Sequence, residues 1–78
     1  MALVTQFERD ERDFRSLHPT QVVCKYLVSL NDGKKVLQLN TYGSAEREIP
    51  DKLSQTLQFD EKPARQLLAI LNEEFGNA

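Results

Sequence analysis

"VVCKYLVSLNDGKKVLQLNTYG", residues 22 to 43, decides the fold. Two runs rich in β-branched and apolar residues flank Asn31, Asp32 and Gly33, three residues that tolerate the positive φ of a tight hairpin turn. In the first run, 22–30, Val22, Cys24, Tyr26, Val28 and Leu30 share one side, with Val23, Lys25, Leu27 and Ser29 on the other. In the second, 35–42, Leu37, Leu39 and Thr41 oppose Gln38, Asn40 and Tyr42. A further run, 53–59, repeats the alternation, with Leu53, Gln55, Leu57 and Phe59 against Ser54, Thr56 and Gln58. The expected product is an antiparallel hairpin extended by another strand, greasy on one face and lined with amides and hydroxyls on the other.

Downstream of the third run, a helix is expected over 61–75. Asp60 suits an N-cap, Glu61 complements the positive end of the helix dipole, and Pro63 falls in the first turn, where a missing N–H costs little. Ala64, Leu67, Leu68, Leu71 and Phe75 recur at helical spacing, and Gly76 is placed to end the element. Such a stripe needs an apolar partner, and the sheet face of Leu37, Leu39, Leu57 and Phe59 supplies it. The fold class is therefore α+β: a curved antiparallel sheet of three to four strands with one C-terminal helix packed on one face.

Upstream, residues 1–20 differ in composition. "FERDERDF" is dense in mixed charge, and its large apolar residues, Phe7 and Phe14, stand a heptad apart, which gives a narrow stripe. The segment reads as a charged arm or a short helix, and Pro19 ends any helix before the first strand. Residues 21–78 then form one domain.

A chain of 78 residues barely supplies a sufficient core by itself, so homodimerisation is expected to add buried surface. Ten basic against 12 acidic residues leave a net charge of −2, so attraction to phosphate or anionic lipid has to come from a local patch. The single cysteine, Cys24, lies in an apolar run and excludes a disulfide within one chain. No stretch has the length or apolarity of a signal peptide or membrane span, and the expectation is a soluble cytoplasmic protein without membrane contact.

Catalytic chemistry finds little support. His18 is the only histidine, so a metal site would need partners that nothing specifies, and a loop role is the better reading. Ser44 and Ser54 have no base placed for them in a chain too short to wall a hydrolase pocket. Glu46, Glu48 and Asp51 lack the spacing and glycine turn of a calcium loop. Neither enzyme activity nor a cofactor is expected. In "TYGS", Gly43 and Ser44 suit a turn or bulge at the strand end.

The polar face is the remaining candidate. Gln38, Asn40, Tyr42, Ser54, Thr56 and Gln58 are either its solvated side or a surface for unpaired bases, with Tyr42 for stacking. Lys25, Lys34, Lys35, Arg47 and Lys52 would supply charge for the phosphates. Between Thr20 and Gln58 there are five basic and four acidic residues, so a patch forms only where the acids turn away.

The order of hairpin, "GKKVLQLNTYG", polar loop with "PDK", strand "SQTLQFD" and helix resembles the transcriptional coactivator family of positive cofactor four and its small bacterial relatives. Gly33, Lys34, Val36, Leu39, Tyr42, Pro50, Lys52, Leu57, Asp60, Leu67 and Leu71 fall in corresponding places, and the likeness covers roughly 22–75. The chain is also similar to a set of short bacterial proteins and accessory domains with "HPT", "TYGS" and "SQTLQFD" at these positions, a group that brings no activity with it. The coactivator resemblance implies a homodimer whose sheets form a groove for single-stranded DNA, with contacts from Lys34, Lys35, Tyr42, Arg47, Lys52 and Ser54 or Gln55. Two readings follow: a single-stranded nucleic-acid-binding module, DNA or RNA, using Lys34, Lys35, Gln38, Asn40, Tyr42, Arg47, Lys52, Ser54 and Thr56, or a protein–protein interaction and dimerisation module.

Overall fold

A computed structural model describes residues 1–43 and 53–76. Five elements follow in order: β1 (Ala2–Val4), β2 (Cys24–Asn31), β3 (Lys34–Tyr42), β4 (Leu53–Phe59) and α1 (Glu61–Phe75). The strands form one open sheet in the order β1-β4-β3-β2, with α1 against β3 and β4. The α+β architecture read from the sequence is the one observed.

The hairpin turn has the predicted chemistry. Asp32 (φ 52°) and Gly33 (φ 77°) both take positive φ, as a two-residue turn matching the twist of its strands requires. That turn fixes the register, pairing Tyr26 with Leu39 and Val28 with Leu37 on one face and Lys25 with Asn40 on the other. Across the next pair, Leu37 meets Phe59 and Leu39 meets Leu57, while Gln38 meets Gln58 and Asn40 meets Thr56. At the centre of the sheet the leucines and Phe59 thus lie on one face and the amides with Thr56 on the other, while Leu27 and Val36 fall on the polar side and Lys35, Thr41 and Gln55 on the apolar one.

Two expectations are corrected at the N-terminus. The sheet is mixed rather than wholly antiparallel, because β1 pairs parallel to β4, Ala2 with Leu57 and Val4 with Phe59. And of the two readings of residues 1–20, the short helix does not form: Ala2–Val4 is a strand and no helix precedes β2. The physical reason is local. Ala2, Leu3 and Val4 precede the charged run, and the edge of β4 presents unpaired N–H and C=O groups that a short apolar strand can satisfy. Beyond them, Asp10 and Arg12 pair at a spacing of two, 3.0 Å apart, which is not a helical contact. Hydrogen bonds from the Arg12 side chain, then from its backbone, hold the exposed Asp10 carboxyl below its usual value.

Phe7 ties this segment to the helix side. Its backbone N–H donates to Gln66 Oε1 at 2.9 Å, and its ring stacks on Phe59 with centroids 5.8 Å apart. Phe59 is 3% exposed and Pro63 is fully buried. The core thus lies where β4 turns into α1. Asp60 occupies the N-cap position with extended backbone, yet its carboxylate makes no capping bond; its carbonyl accepts from the Ala64 N–H at 3.1 Å. Only the first half of the helical stripe is covered: Ala64 and Leu67 are half-buried, whereas Leu68, Leu71 and Phe75 are exposed. Among the described residues, no helix is long and apolar enough to cross a membrane.

Candidate nucleic-acid interface on the polar sheet face

The polar face is built by the cross-strand register. Gln58 Nε2 donates to Gln38 Oε1 at 2.9 Å, Gln38 Nε2 donates to Asn40 Oδ1 at 3.0 Å, and Thr56 Oγ1 donates to the same Asn40 oxygen at 3.0 Å. This chain runs across β4 and β3 and along β3. Asn40 and Thr56 are buried, at 9% and 5% exposure, and no buried side-chain nitrogen or oxygen among the described residues lacks a partner. Burial strengthens such bonds and fixes the rotamers of their members. Four of the polar groups expected to meet a ligand are thereby committed to one another.

Lys25 and Tyr42 complete the face. Lys25 pairs with Asn40 in the register, and Tyr42 follows Asn40 by two residues on the same side. The Lys25 Nζ lies 4.9 Å from the centroid of the Tyr42 ring, a cation–π contact. Lys34 alternates onto this face with Gln38, Asn40 and Tyr42.

The pairing slips between Thr41 and Tyr42, so that Thr41 faces Gln55 while Tyr42 faces Leu53. Ser54 is thus the extra residue of a bulge, beside Tyr42 and Gly43 in a groove that His18 and Thr20 also line. The extra residue lies on β4, across from the end of β3, where the sequence points to a bulge at Gly43. His18 has a local task there: its Nδ1 accepts from the Thr20 N–H at 3.0 Å.

Not every expected residue joins the site. Lys35 alternates onto the opposite face, yet at the hairpin end it and Lys34 line one groove with Gly33 and with Asp60, Glu61 and Lys62 at the start of α1. Arg47 and Lys52 lie outside the described residues, as do Ser44, Glu46, Glu48, Pro50 and Asp51. Lys25, read from the sequence with Lys34, Lys35, Arg47 and Lys52 as charge for the phosphates, is brought to Tyr42 by the hairpin register. The turn at Asp32 and Gly33 already implied that register.

Charge is segregated more sharply than composition implies. The four strands contain Lys25, Lys34 and Lys35 and no carboxylate. Among the described residues, acids fall in the N-terminal segment, the hairpin turn and the helix with its cap. The polar face thus carries two cations, one aromatic ring and a rigid amide row, a set suited to stacking and phosphate contact. Compared with protein-family models, curated proteins and solved structures, the chain matches none, and its likeness to the coactivator family rests on the residues quoted above.

Proposed function

We propose that this chain is a non-catalytic module that binds single-stranded DNA or RNA on its polar sheet face. One observation carries the reading: in a chain of net charge −2, the strands bear only lysines, and two of them share a face with Tyr42. Tyr42 stacks on a base and Lys25 contacts a phosphate beside it, while Lys34, about 27 Å away at the other end of β3, meets a more distant phosphate of the same strand. An exposed cation–π contact contributes about 0.5–1 kcal/mol. Base–aromatic stacking contributes about 1–3 kcal/mol, so a base displaces Lys25 from the ring and frees its ammonium for the backbone.

The amide row has a different part from the one its composition suggests. Asn40 and Thr56 are buried and bonded to each other, so they stiffen the platform and do not read base edges. Binding is accordingly tolerant of sequence and sensitive to salt. A cytoplasmic location belongs to this reading, since the free thiol of Cys24 suits a reducing compartment.

The test is a two-dimensional amide NMR titration with an oligothymidylate of about 20 nucleotides, long enough for one site of this class. Shifts centred on Lys25, Lys34, Gln38 and Tyr42, with α1 unmoved, are expected; shifts confined to α1 and the opposite face contradict the assignment. A second reading, a protein-interaction module, is favoured by the exposed half of the helical stripe.

A further inference from the structure

The two edges of the sheet differ. At one, β1 adds three residues to β4 and pairs part of that edge. At the other, β2 has no strand beyond it among the described residues. Its eight residues, Cys24–Asn31, are all exposed, pair with β3 without a break in register, and include no proline and a single charge, Lys25. A long, flat edge strand accepts another strand, and proteins usually blunt such edges with charges, bulges, prolines or a covering segment. Apart from Lys25, β2 has none of these devices.

The hairpin decides which backbone groups are free. Its two-residue turn closes on a hydrogen-bonded pair, Asn31 with Lys34, and in an antiparallel ladder such pairs alternate along the strand. Asn31, Ser29, Leu27 and Lys25 therefore turn their N–H and C=O groups to β3, and Leu30, Val28, Tyr26 and Cys24 turn theirs outward. The outward residues also place their side chains on the α1 side of the sheet, where Tyr26 and Leu30 are 74% and 71% exposed. An open groove of about 470 Å³ lies beside them, with Val28 on one wall and Leu68 of α1 on the other. The opposite side of the sheet carries Lys25 and Lys34, and no strand contributes a carboxylate.

We propose that this edge receives an extended segment of a partner protein as a fifth strand, antiparallel to β2, with apolar residues on the α1 side and acidic residues on the lysine side. The kind of occupant follows from what is unpaired. Outward N–H and C=O groups at every second residue are satisfied by an extended backbone and not by a helix, and antiparallel pairing is the more stable form per residue. Apolar side chains of the added strand lie against Tyr26, Val28 and Leu30 and lean over the groove, while carboxylates on its other side oppose Lys25. A second copy of β2 is a poorer occupant, because it brings lysine-bearing strands together with no carboxylate to offset them. The inference stands apart from the nucleic-acid reading, since the groups that pair are the backbone of β2.

An amide NMR titration of the full chain with a capped eight-residue peptide of strictly alternating valine and glutamate tests it. At about 1 mM peptide, shifts are expected along 24–31, and the outward amides of Tyr26, Val28 and Leu30 are expected to exchange with solvent at least about tenfold more slowly. In an antiparallel ladder the valines oppose those three residues, so N-methylation of the valines is expected to abolish binding and N-methylation of the glutamates to leave it. The valine–lysine counterpart is expected to bind at least about threefold more weakly. No shift along 24–31 at that concentration overturns the inference, as does equal binding by the valine-methylated or the valine–lysine peptide. Slow exchange of the same three amides before any peptide is added overturns it as well, because the edge is then already paired with another copy.

Discussion

Asn40 shows what a polar sheet face is for at the level of one side chain. Its Oδ1 accepts from both Gln38 and Thr56 while its surroundings exclude water. Asn40→Ala strands two donors at once, and each buried unsatisfied group costs about 1–3 kcal/mol. The urea midpoint of Asn40→Ala is therefore expected to fall, by an amount equivalent to at least about 2 kcal/mol, with the slope unchanged. Alternation alone placed Gln38, Asn40, Tyr42, Thr56 and Gln58 on one face. It gave no sign that the amides bond to one another, because that depends on the pairing of β3 with β4, and the connection between those strands leaves their register open in the sequence. Period two sends Lys34 and Lys35 to opposite faces, but at the end of the hairpin both line one groove beside the start of α1.

Among the elements, the hairpin and helix were the most legible, each for a chemical reason. Asp32 and Gly33 supply the φ values of the turn, and Pro63 with the Ala64-to-Phe75 spacing defines the helix. β1 was not legible, because a strand of three residues has no periodicity to read and owes its place to the edge of β4. Phe7 makes the test of that junction. Its half-buried ring stacks on Phe59, one of two buried apolar residues described, and its N–H is held by Gln66. Phe7→Ala is expected to destabilise the fold by about 1–3 kcal/mol in chemical denaturation, less than a fully buried aromatic because one side of the ring meets solvent. Phe14→Ala, a heptad later and 78% exposed, is the matched control and is expected to leave the midpoint unchanged. Equal effects from both would show that the stack does not anchor the segment.

For the whole molecule, the two faces of one sheet divide the work. One face is a charged, rigid platform, and the other is apolar and extends past what its own helix covers. A stripe read from a sequence tells which helical residues share a side, but not how far the sheet beneath them reaches; the exposure of Leu71 and Phe75 could only come from the packing. Likewise the net charge of −2 concealed strands that hold only lysines, because carboxylates elsewhere outnumber them. The central claim is that Lys25, Lys34 and Tyr42 receive a single strand. Its most direct measurement is fluorescence anisotropy of a labelled single strand of about 20 nucleotides, titrated from about 50 to 200 mM salt with a duplex as control. The account predicts preference for the single strand and a log–log salt slope of about −1.4 per protomer, the value for two lysine–phosphate contacts. No binding at the lowest salt, or a slope near zero, would contradict it.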